Sequence, residues 1–120
     1  MIIIEAFDSC KYLKTVNFEK DCQLEVIEKY AFKNTSIESI SIPQKTKSIN
    51  EGAFKMSQLQ KISFKENASL EYIGKDAFSG SFIKEFYISE NIKYLDDECF
   101  NNLQYLTTIQ VSQENDHFFF

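Results

Sequence analysis

One recurring phrase constrains the shape of this chain more than any other feature. A small residue followed by Phe closes "EAF" at Phe7, "YAF" at Phe32, "GAF" at Phe54, "DAF" at Phe78 and "ECF" at Phe100, at intervals of 22 to 25 residues. Self-similarity at such a period describes stacked units, each unable to bury its apolar face without its neighbours. The copies reach across nearly all of the 120 residues, so the chain reads as a single repeat domain over residues 1–120.

The remaining apolar residues fall into columns set by the same phrase. Five residues before each Phe stands an aliphatic side chain: Ile2, Ile27, Ile49, Ile73 and Leu95. After each Phe comes a triplet spaced L-x-x-I-x-I: Leu13, Val16, Phe18; Ile37, Ile40, Ile42; Leu59, Ile62, Phe64; Ile83, Phe86, Ile88; Leu106, Ile109, Val111. Every one of these positions is apolar in a chain that is only 43% hydrophobic, so chance does not account for them. Length varies in one place. Six residues lead from Phe18 to Leu24 and from Phe64 to Leu70, but four from Ile42 to Thr46 and from Ile88 to Ile92. Insertions confined to one loop are expected of one edge of a solenoid.

The x-I-x-I segment has the period of two that belongs to a strand, and Ile, Val and Phe favour strands. One such strand per turn, paired in parallel about 4.8 Å apart, predicts a five-stranded sheet about 24 Å long on one face, with loops and turns on the others. The Phe column is expected to stack inside as a spine. Ala6, Ala31, Ala53, Ala77 and Cys99 supply the small residue beside it.

Because strand side chains alternate, the residues between the inward ones point to solvent. They form two columns, Thr15, Ser39, Lys61, Glu85, Thr108 and Asn17, Ser41, Ser63, Tyr87, Gln110. These ten residues are the candidate binding face, since solenoids bind along extended open surfaces. Lys61, Glu85 and Tyr87 are expected to come together near its middle, with Tyr as the residue favoured at interface hot spots.

Charge and motif content narrow the function by exclusion. The net charge is −5, and all 13 basic residues are Lys, so the Arg forks that grip phosphate are missing and nucleic acid is not an expected partner. No apolar run reaches the roughly 20 residues that span a bilayer, and "MIII" lacks the basic flank and length of a signal peptide. Three Gly leave no phosphate-cradling loop. His117 has no Cys or carboxylate at ligand or triad spacing and reads as part of a disordered tail. Asp96, Asp97 and Glu98 are consecutive and cannot converge on one ion from an extended turn. No catalytic residue, cofactor or metal is therefore expected. Cys10, Cys22 and Cys99 cannot all pair within one chain and read as free, mostly buried thiols, which suits a reducing compartment. Cys22, in the loop outside the repeat columns, is the candidate for an exposed thiol. Asn34-Thr35-Ser36 and Asn67-Ala68-Ser69 are sequons that would be used only on a secretory route.

The unit A-F-x₅-L-x-x-I-x-I-P-x₅-I-x-x-x-A-F resembles the BspA-like leucine-rich repeats, most closely in "AFKNTSIESISIPQKTKSINEGAF" (31–54) and "LEYIGKDAFSGSFIKEFYISENIKYL" (70–95). The resemblance covers almost all of residues 2–111. It implies a leucine-rich-repeat solenoid of about five turns, known from surface proteins of bacteria and protozoan parasites. It also implies a non-enzymatic interaction or adhesion module for a protein ligand, extracellular or from a host, at the cell surface. An intracellular scaffold of the same fold is the alternative. The family's usual Pro appears only as Pro43, and its frequent Gly only as Gly74. Losing those residues is expected to weaken the turns but not the core columns. Neither "MIII" nor "FFF" (Phe118 to Phe120) reads as a cap, so the expectation is a piece of a longer array, or self-association through the ends.

Overall fold

In the computed structural model, which describes residues 2–3 and 7–118, the chain consists of short strands and turns wound into a solenoid. The strands are β1 (Ile2–Ile3), β2 (Val26–Ile27), β3 (Ser39–Ile42), β4 (Ser48–Ile49), β5 (Lys61–Phe64), β6 (Tyr72–Ile73), β7 (Glu85–Ile88), β8 (Tyr94–Leu95) and β9 (Thr108–Val111). The five Phe positions delimit about four full turns. Ala6 and the last two Phe, Phe119 and Phe120, lie outside the described residues.

The expected spine is present. Phe7, Phe32, Phe54, Phe78 and Phe100 stack in sequence, with ring centroids 5.3, 5.3, 5.8 and 6.5 Å apart and planes within 14° of parallel. Phe32, Phe54 and Phe78 are fully buried, as are Ala31, Ala53 and Ala77 beside them, and Cys99 takes the same place in the next copy. Around the spine lie Ile27, Ile49 and Ile73 from the aliphatic column, with Ile37, Ile42, Leu59, Ile83 and Ile88 from the triplets, all buried. Burial falls off toward both ends. Leu13, Val16 and Phe18 at one end, and Leu106 and Val111 at the other, are only partly covered, and Ile109 is 38% exposed.

The sheets differ from the expectation in two ways. The continuous five-stranded sheet runs β1-β2-β4-β6-β8, all parallel, and is built from the aliphatic column, not from the x-I-x-I segments. The x-I-x-I segments form strands in only four coils, and these pair two by two, β3 with β5 and β7 with β9. Thr15 to Phe18 forms no strand. The two interruptions, before β3 and between β5 and β7, both follow a triplet ending in Phe (Phe18, Phe64) and a six-residue connection. The two intact ladders follow triplets ending in buried Ile42 and Ile88 and a four-residue connection. At the second break the Phe64 ring meets Phe86 edge-on, at 5.8 Å and 76°, and so occupies the space between coils that an Ile leaves to the backbone.

The turns around the spine are held by a device that composition hid. The residue two after each Phe is left-handed: Ser9, Asn34, Met56, Gly80 and Asn102, with φ between 55° and 75°. Two before Phe32, Phe54 and Phe78, the residues Tyr30, Gly52 and Asp76 are left-handed as well. The alternation aims every second N–H at the next coil: Tyr30, Phe32 and Asn34 donate to the carbonyls of Glu51, Ala53 and Lys55. The turns thus carry their own ladder without the family's punctuating Pro and Gly. At Gly52 and Gly80 the positive φ, 60° and 75°, suits Gly, and the space beside each is already taken. A Cβ on Gly52 would meet the Tyr30 ring at 2.5 Å, and one on Gly80 would meet Met56 Sδ at 2.4 Å.

Side chains also tie coil to coil on the loop edge. Thr46 Oγ1 donates to Leu24 O, Gln44 Nε2 to Glu66 O, and Asn91 Nδ2 to Ala68 O. Buried Asn115 donates to Ser89 O and Ile92 O, and its Oδ1 accepts from the N–H groups of His117 and Phe118. The disordered tail expected around His117 is therefore corrected: through residue 118 the chain is pinned by Asn115.

Candidate interaction grooves

Each of the two breaks in the long-strand ladder coincides with a concave place on the surface. The larger, about 890 Å³, lies between residues 16–21 of the first coil and the outward side of β3 and β5. The smaller, about 310 Å³, lies at the junction of β5 with β7. The link is geometric. Where the ladder holds, neighbouring strands stand at backbone-bonding distance and leave no space; where a Phe-ended strand and a longer loop intervene, a groove opens.

Half of the predicted face lines the larger groove: Asn17, Ser39, Ser41, Lys61 and Ser63. Tyr87 lines the smaller one, while Thr15, Glu85, Thr108 and Gln110 border neither. Lys61 and Tyr87 therefore line different grooves. Lys61 stands on β5, Glu85 and Tyr87 on β7, across the unpaired junction, and among the described residues Lys61 and Glu85 form no ion pair. The groove's charges balance, with Lys20, Lys61 and Lys65 against Glu19, Asp21 and Glu66, and its floor is small hydroxyls beside Ile40 and Val16. Such a surface can take an extended peptide by backbone hydrogen bonds and shape, with little selection for charge.

The remaining candidates fall as follows. Cys10 is exposed and Cys22 half-buried against the core, which reverses the expectation that Cys22 is the open thiol and that most of the thiols are buried. Cys99 is buried, and that burial pushes its thiol pKa up to about 12, so it is an inert packing residue. Asn34 and Asn67 are exposed with φ of 57° and 56°, a conformation Asn tolerates better than most residues, and the Ser36 hydroxyl of the first sequon donates to Lys11 O. Asp96 Oδ1 accepts from the Glu98 N–H, so the acidic run is a local turn.

Sequence reasoning missed the aromatic pair on the opposite sheet. Tyr72 and Tyr94, in register on β6 and β8, stack 5.1 Å apart and 5° from parallel. The signal was present as the residue just before the aliphatic column, Val26, Ser48, Tyr72, Tyr94, but a two-residue strand gives no alternation to mark it as outward.

A family model described as the BspA type leucine rich repeat region matches residues 1–116 in 6 copies. No curated protein matches the chain. Among solved structures, the crystal structure of the pneumococcal vaccine antigen PcpA is similar, with a TM-score of 0.71 and 24% identity over 76% of this chain and 25% of that one. At that identity the likeness speaks for the fold, and this chain spans about a quarter of the length of the protein it matches.

Proposed function

Because the chain belongs to the BspA-type leucine-rich repeat family, we propose that it is a non-enzymatic interaction module of a surface-associated protein, of the adhesion kind. Its ligand is an extended segment of another protein, extracellular or from a host, laid in the groove beside β3 and β5. The observation that carries this reading is the groove itself: an open ladder edge, floored by Ser39, Ser41 and Ser63, next to a strand that pairs only on its other side.

The test has two parts. Intact cells are labelled with an impermeant reagent and this chain is probed for label; the reading expects labelling without lysis. Binding of the purified chain to surfaces is then compared with that of a Ser41→Arg, Ser63→Arg variant, which fills the groove from its half-buried and exposed hydroxyl positions and leaves the core alone. Label appearing only after lysis, or undiminished binding by the filled-groove variant, would sink it. A second reading, an intracellular scaffold of the same fold, is favoured by the exposed free thiol of Cys10, and label confined to lysates would make it the leading one.

A further inference from the structure

The stacked tyrosines on the continuous sheet have no role in the fold's interior. Tyr72 is 36% exposed and Tyr94 51%, on coils whose inward residues, Ile73 and Leu95, already face the core. Two features of the surroundings hold the pair in one geometry. Gly74 has no side chain, and the Tyr72 hydroxyl leans over it, 3.2 Å from where a Cβ would stand. The strand register places Tyr94 directly beside Tyr72, so the rings lie parallel on neighbouring strands.

The charge around the pair is predominantly negative. Residues 71–76 and 93–98 hold Glu71, Asp76, Asp96, Asp97 and Glu98 against Lys75 and Lys93. Both lysines are already engaged, Lys75 with Glu98 and Lys93 with Glu71, each at 3.4 Å. Asp76, Asp96 and Asp97 have no ion-pair partner among the described residues. The Tyr72 phenol senses this: its pKa is raised by burial first, and then by Tyr94 and the carboxylates Asp96 and Glu51. The contrast with the larger groove, where lysines and carboxylates balance, is what identifies an occupant.

We infer that Tyr72 and Tyr94 form a second docking surface, distinct from the groove, for a basic segment of a partner protein. A Lys or Arg side chain of that segment lies across the paired rings with its charge toward Asp96. Aromatic faces attract cations through their quadrupole, and the unmatched carboxylates supply the longer-range pull. The partner is an extended, Lys/Arg-bearing strand; a neutral or acidic strand lacks the matching charge. Because this surface lies on the other sheet, it stands or falls independently of the groove.

The test is a titration of the intact chain with three synthetic peptides of equal length, Arg/Ser, Gln/Ser and Glu/Ser, followed through the ring signals of the six tyrosines by NMR. The Arg/Ser peptide is expected to move Tyr72 and Tyr94 and to leave Tyr12 and Tyr105 in place. The Gln/Ser and Glu/Ser peptides are expected to move none. Tyr94→Ala and Asp96→Asn should each weaken the Arg/Ser complex at least threefold. Both variants should keep an unchanged methyl spectrum, since Tyr94 is exposed and Asp96→Asn retains the Oδ1 that accepts the Glu98 N–H. Three results would overturn the inference: no binding of the Arg/Ser peptide, equal binding of the Gln/Ser peptide, or binding that survives loss of both rings and so reflects only diffuse attraction to the net charge.

Discussion

The two sides of this solenoid are made from the same repeats and end up differently built. On one side, two-residue strands pair without a break through five coils. On the other, four-residue strands with stronger strand character pair only in twos. Strand length and propensity therefore do not decide continuity. What decides it is where the irregular chain length enters and what ends the strand. The two extra residues follow Phe18 and Phe64 directly, so the long strand next to them loses its neighbour. The short strand, reached only after Leu24 or Leu70 has re-entered the core, recovers the register. The regular side gives rigidity, and the interrupted side gives the grooves.

Substitution in the spine should break the regular side most. Phe54→Ala removes a fully buried ring stacked on both faces and should cost about 3–5 kcal/mol, enough to abolish cooperative melting of so short an array. Phe64→Ala, at the half-covered break, should cost about 1–2 kcal/mol and leave a single transition. If calorimetry ranked the two the other way round, the stacked spine would not be what holds the coils together.

A backbone change on the regular side comes next. Gly52 is left-handed with the Tyr30 ring packed where a side chain would begin, so Gly52→Ala should cost about 2 kcal/mol or more in a denaturant melt. Exchange of Gly52 for Ala without a shift in midpoint would mean that the alternating left-handed turns are not required.

The thiols sharpen the same contrast without mutation. Cys99, with its pKa raised to about 12 by burial, should resist alkylation at neutral pH until the chain unfolds, whereas Cys10 reacts at once. The thiol pKa is higher in the folded than in the unfolded chain. Stability is therefore unaffected below about pH 9 and falls as pH rises from there toward 12, because only the unfolded chain loses the proton. A melt unchanged between pH 8 and 9.5 in the Cys99→Ala variant but falling in the parent would isolate this group, below the range where Tyr72, also raised, contributes. An equal fall in both would assign the alkaline loss elsewhere. The smallest effect belongs to the surface: Lys29–Glu51, half-exposed at 3.4 Å, should contribute less than about 1 kcal/mol in a double-mutant cycle.

The spine was legible because Phe recurs at every coil beside a small residue, a pattern that survives any reading of the loops. The breaks were written in the sequence too, as Phe18 and Phe64 against Ile42 and Ile88 and as six residues against four, but a length difference alone does not say which ladder it interrupts. The continuous sheet was not legible, because Val26, Ser48, Tyr72 and Tyr94 occupy its outer column without a common chemistry. Nor were the left-handed turns, since Ser9, Tyr30 and Met56 are not residues that announce φ near 60°. Of the predicted face, Asn17, Ser39, Ser41, Lys61 and Ser63 share a groove because they flank one break; Glu85, Tyr87, Thr108 and Gln110 lie beyond the second break, and Thr15 stops short of the groove.

Backbone amide exchange tests the central claim most directly. Lys61 and Thr108 donate their N–H groups to Glu38 O and Lys84 O across intact ladders. Ser39 and Glu85 occupy the matching positions on β3 and β7 but face the breaks. The account predicts that Lys61 and Thr108 exchange on the order of a hundredfold more slowly than Ser39 and Glu85. Equal protection at all four would mean that the long strands form one continuous sheet, and that the grooves at its breaks do not exist in solution.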